Sequence, residues 1–146
     1  MTKTALVTGA TSGIGKATAQ ILAKNNYKII LCGRREDRLI ALEKELSAFT
    51  EVHTLTFDVR DKKAVFESIN SIPEAFSTID VLINNAGNAH GLDPIQNGDL
   101  DDWDAMIDIN VKGLLYVSKA IIPQMIERKS GHIINIGSIA GKEVYP

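Results

Sequence analysis

The chain has 146 residues, 45% of them hydrophobic and 23% charged, with 16 Lys and Arg against 18 Asp and Glu for a formal net charge of −2. At this length a globular chain buries roughly 68–70% of the surface its unfolded form exposes, so one core stands without staples, and the chain reads as one domain or part of one. Interspersed charges near neutrality exclude a surface built to neutralise many phosphates, so no nucleic acid partner is expected. No apolar run approaches the roughly 20 residues that span a bilayer, and no membrane partner or export signal is expected either.

In chain order, the predicted strands are Thr4 to Thr8, Lys28 to Cys32, Val52 to Phe57, Val81 to Asn84 and Ile133 to Ile136. Several are apolar at consecutive positions, the pattern of strands covered on both faces in a parallel sheet. Ile14, Ala17, Ile21 and Leu22 are expected to form the buried face of a first helix, and Leu39, Leu42 and Leu46 that of a second. Asp61 opens a third. The longest predicted helix runs from about Asp101 to Arg128, with Trp103, Met106, Ile107, Leu114, Val117, Ile121 and Met125 roughly in phase. Pro123 should bend it or end its regular part, and Ser130-Gly131 should stop it. The stretch from Gly91 to Gly98, with Pro94 and Asn97, reads as a surface loop.

Five strands separated by helices of ten or more residues give an α/β fold: a Rossmann-like, doubly wound parallel sheet in three layers. Binding then belongs at the carboxyl ends of the strands, near the switch point. The single cysteine, Cys32, lies in the run Ile29-Ile30-Leu31-Cys32. It forms no internal disulfide, fits a reduced cytoplasmic compartment, and reads as a small buried hydrophobe in preference to a nucleophile.

The turn Thr8-Gly9-Ala10-Thr11-Ser12-Gly13-Ile14-Gly15 follows the first strand and opens the first helix, where free backbone N–H groups and the positive helix end favour a phosphate. Gly9 allows a sharp turn off the strand, Gly13 lets a pyrophosphate approach the backbone, and Gly15 lets the helix pack closely on the sheet. Ala10 and Ala17 exclude a P-loop, which would need Gly at position 10 and Ser or Thr after Lys16. The spacing G-x-x-x-G-x-G also differs from the common G-x-G-x-x-G fingerprint. After the second strand, Gly33 leaves no carboxylate to repel a 2′-phosphate, and the paired guanidiniums of Arg34 and Arg35 suit phosphate oxygens. Two solvated arginines at a helix start are the plainer alternative, although cations there oppose the helix dipole unless an anion binds.

His53, His90 and His132 lack the close spacing of metal ligands, so no metal is expected. Asp99, Asp101, Asp102 and Asp104 gather where the long helix starts and read as helix capping.

These motifs resemble those of the short-chain dehydrogenase/reductase family along the whole chain. The turn with Gly9, Thr11, Ser12, Gly13, Ile14 and Gly15 is similar to the family's cofactor turn, Asp58-Val59 to its adenine contact, and Asn84-Asn85-Ala86-Gly87 to its NNAG motif. Asn110 and Ser138 match the catalytic asparagine and serine. Within the family, Ile72-Pro73, the segment from Asn88 to Pro94, Trp103 to Asn110 and Gly131 to Ser138 resemble the NADP-dependent 3-hydroxy acid (serine 3-dehydrogenase) branch. The plainer readings are a turn former at Asp58, asparagines 84 and 85 that tie strand ends together, a backbone-bonded Asn110 and a turn serine at 138. Gly137-Ser138-Ile139-Ala140-Gly141 lacks the spacing of a hydrolase elbow.

The resemblance implies an NADP(H)-dependent oxidoreductase acting on a small hydroxy or carbonyl compound, cytoplasmic, and a homotetramer or dimer. Ser138 would hydrogen-bond the reacting oxygen, and Asn110 would hold a water that relays protons. The family's acid is a Tyr about thirteen residues after the serine with a Lys four further on, and the chain stops at Pro146 before either position. Tyr145, seven residues after Ser138, reads as a substrate-pocket residue. The chain is therefore expected to be the N-terminal portion of a longer domain, inactive by itself and left with an apolar sheet edge that favours association. Two other readings stand beside this one: a non-catalytic dinucleotide sensor, and a methyltransferase, for which Arg34 and Arg35 would have no use.

Overall fold

The structure, a computed structural model, describes residues 2–91 and 93–143. Its strands are β1 (Thr4–Thr8), β2 (Lys28–Gly33), β3 (Val52–Thr56), β4 (Val81–Asn84) and β5 (His132–Asn135), all paired in parallel in the order β3-β2-β1-β4-β5. The helices are α1 (Gly13–Lys24), α2 (Glu36–Leu46), α3 (Lys62–Asn70), α4 (Leu100–Ile107) and α5 (Leu114–Glu127), with a π-helical segment, Asp108–Gly113, joining the last two. The expected strands therefore form, with ends shifted by one residue at β2, β3 and β5.

Consecutive apolar residues in the strands have a simple cause: successive side chains point to opposite faces, and both faces are covered. Leu6, Ile30, Cys32 and Leu82 pack with Val65 and Ile69 of α3 and with Val117, Ile121 and Met125 of α5. Ala5, Val7, Ile29, Leu31 and Ile83 pack with Ala19 and Ala23 of α1 and with Leu39, Leu42 and Leu46 of α2. The sheet is the middle of three layers. Its order reverses between β1 and β4, which opens a crevice at their carboxyl ends.

The first helix corrects the sequence reading. Its buried residues are Gly15, Ala19 and Ala23, whereas Ile14 is 61% exposed and Ile21 62% exposed. Small residues face the sheet because α1 sits so close that a Cβ on Gly15 would lie 2.4 Å from the Gly9 carbonyl oxygen. Leu39, Leu42 and Leu46 are buried as expected. Asp61 caps α3 by accepting from the Ala64 N–H at 3.0 Å, and Asp99 caps α4 by accepting from the Asp101 N–H at 2.8 Å. The acidic cluster thus serves the positive end of a helix.

The single long helix of the sequence reading is divided. The wider turn of the π segment shifts the helical phase, so Ile107 falls on the solvent side while Ile109, Gly113, Val117, Ile121 and Met125 are buried. Pro123 does not end α5, which continues to Glu127. The helix stops in a Schellman turn, in which the Lys129 N–H donates to the Ile126 carbonyl and the Ser130 N–H to the Met125 carbonyl. The left-handed residue is Lys129, with φ of 52°, and not Gly131. Gly131 is small for another reason: a Cβ there would lie 2.5 Å from Met125 Sδ.

At the amino end of the sheet, α5 grips the entry to β4. Arg128 Nη2 donates to the Ile79 carbonyl at 2.6 Å, Arg128 Nη1 pairs with Asp80 at 3.3 Å, and Gln124 Oε1 accepts from the Ile79 N–H at 3.0 Å. Asp80 in turn accepts from the Thr4 N–H at 2.9 Å. Arg128→Ala should lower stability by about 2 kcal/mol in urea unfolding, because charge-assisted bonds to partly buried groups are lost. Arg128→Lys should restore less than half, since an ammonium cannot fork between two acceptors.

Candidate functional site

The crevice is anchored where β1 meets β4. The buried Thr8 hydroxyl donates to the Ile83 carbonyl at 3.3 Å and accepts from the Asn85 and Ala86 N–H groups, each at 3.0 Å. The Asn85 amide donates to the Thr8 and Gly9 carbonyls at 3.0 and 3.1 Å. Asn85 therefore does tie strand ends together. Asn84 does the same toward β5, its Nδ2 donating to Ser118 Oγ at 3.0 Å and to Asn135 Oδ1 at 2.9 Å.

The three glycines of the turn serve different needs. Gly9 has φ of +63°, and a Cβ there would lie 2.9 Å from Ala86 Cα. Gly15 is pressed against Gly9 and Asn85. Gly13 has φ of +54° yet nothing within 4 Å of where its Cβ would be, so glycine answers there to backbone conformation and not to packing. Ser12 precedes α1 without a side-chain cap, and no acidic residue occupies the first turn. The leading N–H groups of α1 are thus left for an external acceptor.

Across the crevice stands the cationic end of β2. Arg35 Nη2 donates to Thr11 Oγ1 at 2.8 Å and to Ser12 Oγ at 3.2 Å, while Arg34 Nη1 stands 3.6 Å from Asp58 Oδ2. A Cβ on Gly33 would lie 2.8 Å from Thr11 Cγ2, so glycine there also lets the turn approach β2. Burial alone would push the Asp58 carboxyl up. Hydrogen bonds from the Arg60 side chain and N–H, with the charges of Arg60 and Arg34, outweigh it and hold the group below the usual carboxylate range. The stability this adds is present in full above the ordinary Asp value and is lost as pH falls through the lower folded-state value.

Gly9, Thr11, Arg34, Arg35, Asp58, Val59, Ala86 and Gly87 line one groove, together with Gly33, Asn88 and Ile109. The remaining predicted residues, Ser12, Gly13, Ile14, Gly15, Asn85, Asn110 and Ser138, are not among those that line it. Asn110, in the π segment, makes a two-way contact with the Asn88 main chain: its Oδ1 accepts at 2.9 Å and its Nδ2 donates at 2.8 Å. Ser138 is exposed after β5, and its Oγ accepts from the Ala140 N–H at 3.2 Å, which leaves the hydroxyl proton free to donate. Tyr145 lies outside the described residues. Sequence reasoning missed three residues here: Arg60, whose i, i+2 spacing from a strand-end aspartate was the available signal, Asn88, and Gly113, where a Cβ would lie 2.7 Å from Val59 Cγ2.

Burial pushes the Cys32 thiol far up, which removes it as a nucleophile. Among the described residues no group of three or more His, Cys, Asp or Glu could hold a metal, and no helix is long and apolar enough to cross a membrane. The groove suits an anionic ligand: Arg34 and Arg35, which follow Gly33, are in its lining, and Gly9 and Thr11 bring the glycine turn to it.

The family pattern described as short chain dehydrogenase matches residues 3–146. The chain is 49% identical over 147 residues to sulfoacetaldehyde reductase 2 of Chromohalobacter salexigens, covering 100% of this chain and 58% of that protein. It is 49% identical over 140 residues to the NADP-dependent 3-hydroxy acid dehydrogenase YdfG of Salmonella typhi, covering 96% and 56%. The closed form of a serine dehydrogenase complexed with NADP+ superposes with a TM-score of 0.91 at 44% identity, over 97% of this chain and 56% of the other. The chain thus spans a little over half the length of these relatives.

Two alanine substitutions should separate packing from access. Gly15→Ala should destabilise the fold by about 3 kcal/mol in urea unfolding, the upper end of the usual overpacking cost, because backbone at Gly9 must move. Gly13→Ala should cost only about 1–2 kcal/mol, the strain of a left-handed conformation, since there is space for the methyl group.

Proposed function

The chain belongs to the short-chain dehydrogenase family, and on that premise we propose that it binds NADP(H) in an oxidoreductase acting on a small hydroxy or carbonyl compound. The observation that carries this reading is the uncapped N-terminus of α1, with no acidic residue in its first turn, entered from a turn whose Gly9 and Thr11 line one groove with Arg34 and Arg35. The N-terminus of α1 would take the pyrophosphate. Arg34 and Arg35 would take a 2′-phosphate, with Arg35 already held by Thr11 and Ser12. Asp58 and Val59 would face the adenine, with Ala86 and Gly87 along the floor.

The bound nicotinamide would supply the hydride. This chain's residues supply orientation: Ser138 has a hydroxyl proton free to donate to the reacting oxygen. Asn110 keeps the Gly87-Asn88 backbone in position, and holding a relaying water is the further role we assign it. The relatives' names point to a 3-hydroxy acid such as serine, or to a small aldehyde, as the substrate class. We also propose a cytoplasmic setting, which the buried thiol suits, and a homo-oligomer, a tetramer or dimer. Exposed Ile107, Val111 and Leu115 along the α4–α5 face support self-association.

Calorimetry with both cofactors tests the cofactor reading. NADP(H) should bind at least tenfold more tightly than NAD(H), the size of one charge-assisted hydrogen bond of about 1.5–3 kcal/mol, and Arg34→Ala should remove most of the difference. Equal affinities would reject it. In the full chain, Ser138→Ala should cut turnover about 10²–10³-fold with cofactor affinity unchanged, as for loss of a donor to developing oxyanion charge. Cofactor binding with no turnover on any hydroxy acid or small aldehyde would favour the sensor reading instead.

A further inference from the structure

The β3–α3 turn holds a residue that the cofactor reading leaves unexplained. Arg60 grips Asp58 at three points: its Nη2 donates to Oδ2 at 2.7 Å, its Nε reaches both oxygens at 3.0 and 3.1 Å, and its backbone N–H donates to Oδ1 at 3.0 Å. Asp58 lines the groove beside Arg34. Among the described residues Asp58 is the carboxylate that ion-pairs with Arg34, at a distance of 3.6 Å, too long for a good hydrogen bond.

We propose that Arg60 is a positioning residue that selects for a 2′-phosphorylated adenosine by occupying the Asp58 carboxylate, so that Arg34 stays free to meet the phosphate. This rests on the NADP(H) reading above and extends it to a residue outside the groove lining. The geometry supplies the reason. With Oδ2 already shared between Nη2 and Nε of Arg60, Arg34 is a distant third partner. Without the Arg60 guanidinium, the carboxylate has Arg34 as its remaining ion-pair partner and draws it into a direct, charge-assisted bond. A 2′-phosphate would then have to displace Arg34 from Asp58 and would meet an uncompensated negative charge beside it. Unphosphorylated adenosine would meet neither obstacle. The low carboxyl value of Asp58 agrees with this arrangement, since Arg60 keeps the group ionised and compensated. Side-chain truncation leaves the backbone bond from residue 60 to Asp58 Oδ1 in place, so the turn keeps its Asx geometry.

The test is the ratio of affinities for adenosine 2′,5′-bisphosphate and 5′-AMP, measured by calorimetry on the full chain. Arg60→Ala should weaken the bisphosphate at least fivefold and leave 5′-AMP within twofold, and Arg60→Lys should recover part of the ratio. Adding Asp58→Asn to Arg60→Ala should restore the ratio, because no carboxylate remains to capture Arg34. A parallel loss for both ligands, or an unchanged ratio in Arg60→Ala, would overturn the proposal while leaving the NADP(H) reading intact. An unsubstituted chain with no preference for the bisphosphate would overturn both.

Discussion

The Thr8 hydroxyl joins the carboxyl ends of β1 and β4, and the geometry of the crevice depends on that junction. A hydroxyl has one proton to donate and two lone pairs to accept with, and here all three are engaged, by Ile83, Asn85 and Ala86. Asn85 closes the junction from the other side by bonding the Thr8 and Gly9 carbonyls. Gly9 can then take its left-handed turn against Ala86, and Gly15 can bring α1 down onto the same carbonyl. The close approach of α1 sets its uncapped N-terminus directly after the glycine turn, so a packing constraint and the candidate binding surface meet at one place.

Charge at the far end of the crevice is organised as a set. Arg35 is held by two hydroxyls of the glycine turn, Arg34 leans toward Asp58, and Arg60 holds Asp58 from behind. Two guanidiniums flank one carboxylate and a third is held at the glycine turn, so the region keeps a positive excess while the aspartate stays ionised. Arg34 and Arg60 are substantially exposed. Water therefore screens each pair, and the value of the arrangement lies in where the groups are held more than in folding energy.

The π segment links the two halves of the site. Its wide turn lets Gly113 pack on Val59, which follows Asp58, and places Asn110 against the main chain of Asn88 after β4. One irregular stretch of helix thus touches the loops after both β3 and β4. On the outer side β5 exposes Ile134, and Ile136 beyond it, which contrasts with the enclosed strands β1 and β2.

Much of this was legible in the sequence because it is local. Apolar runs specify strands covered on both sides, Leu39, Leu42 and Leu46 repeat with a helical period, Asp61 and Asp99 stand where caps are needed, and Gly9, Gly13 and Gly15 mark a turn between a strand and a helix. Residue spacing alone carries such signals, since a backbone conformation or a helix face involves neighbours within a few positions. The tertiary structure decided what depends on proximity between distant segments. The buried face of α1 is Gly15, Ala19 and Ala23 because the sheet lies too close for the larger Ile14 and Ile21. The long helical pattern is interrupted because Gly113 and Asn110 answer to Val59 and Asn88, residues far away in sequence. Arg60 gains its place from a carboxylate that also pairs with Arg34, just beyond the end of β2. A one-dimensional pattern records which side chains are apolar, small or charged, but which of them meet is settled by the packing of layers, and that is where this site acquires its shape.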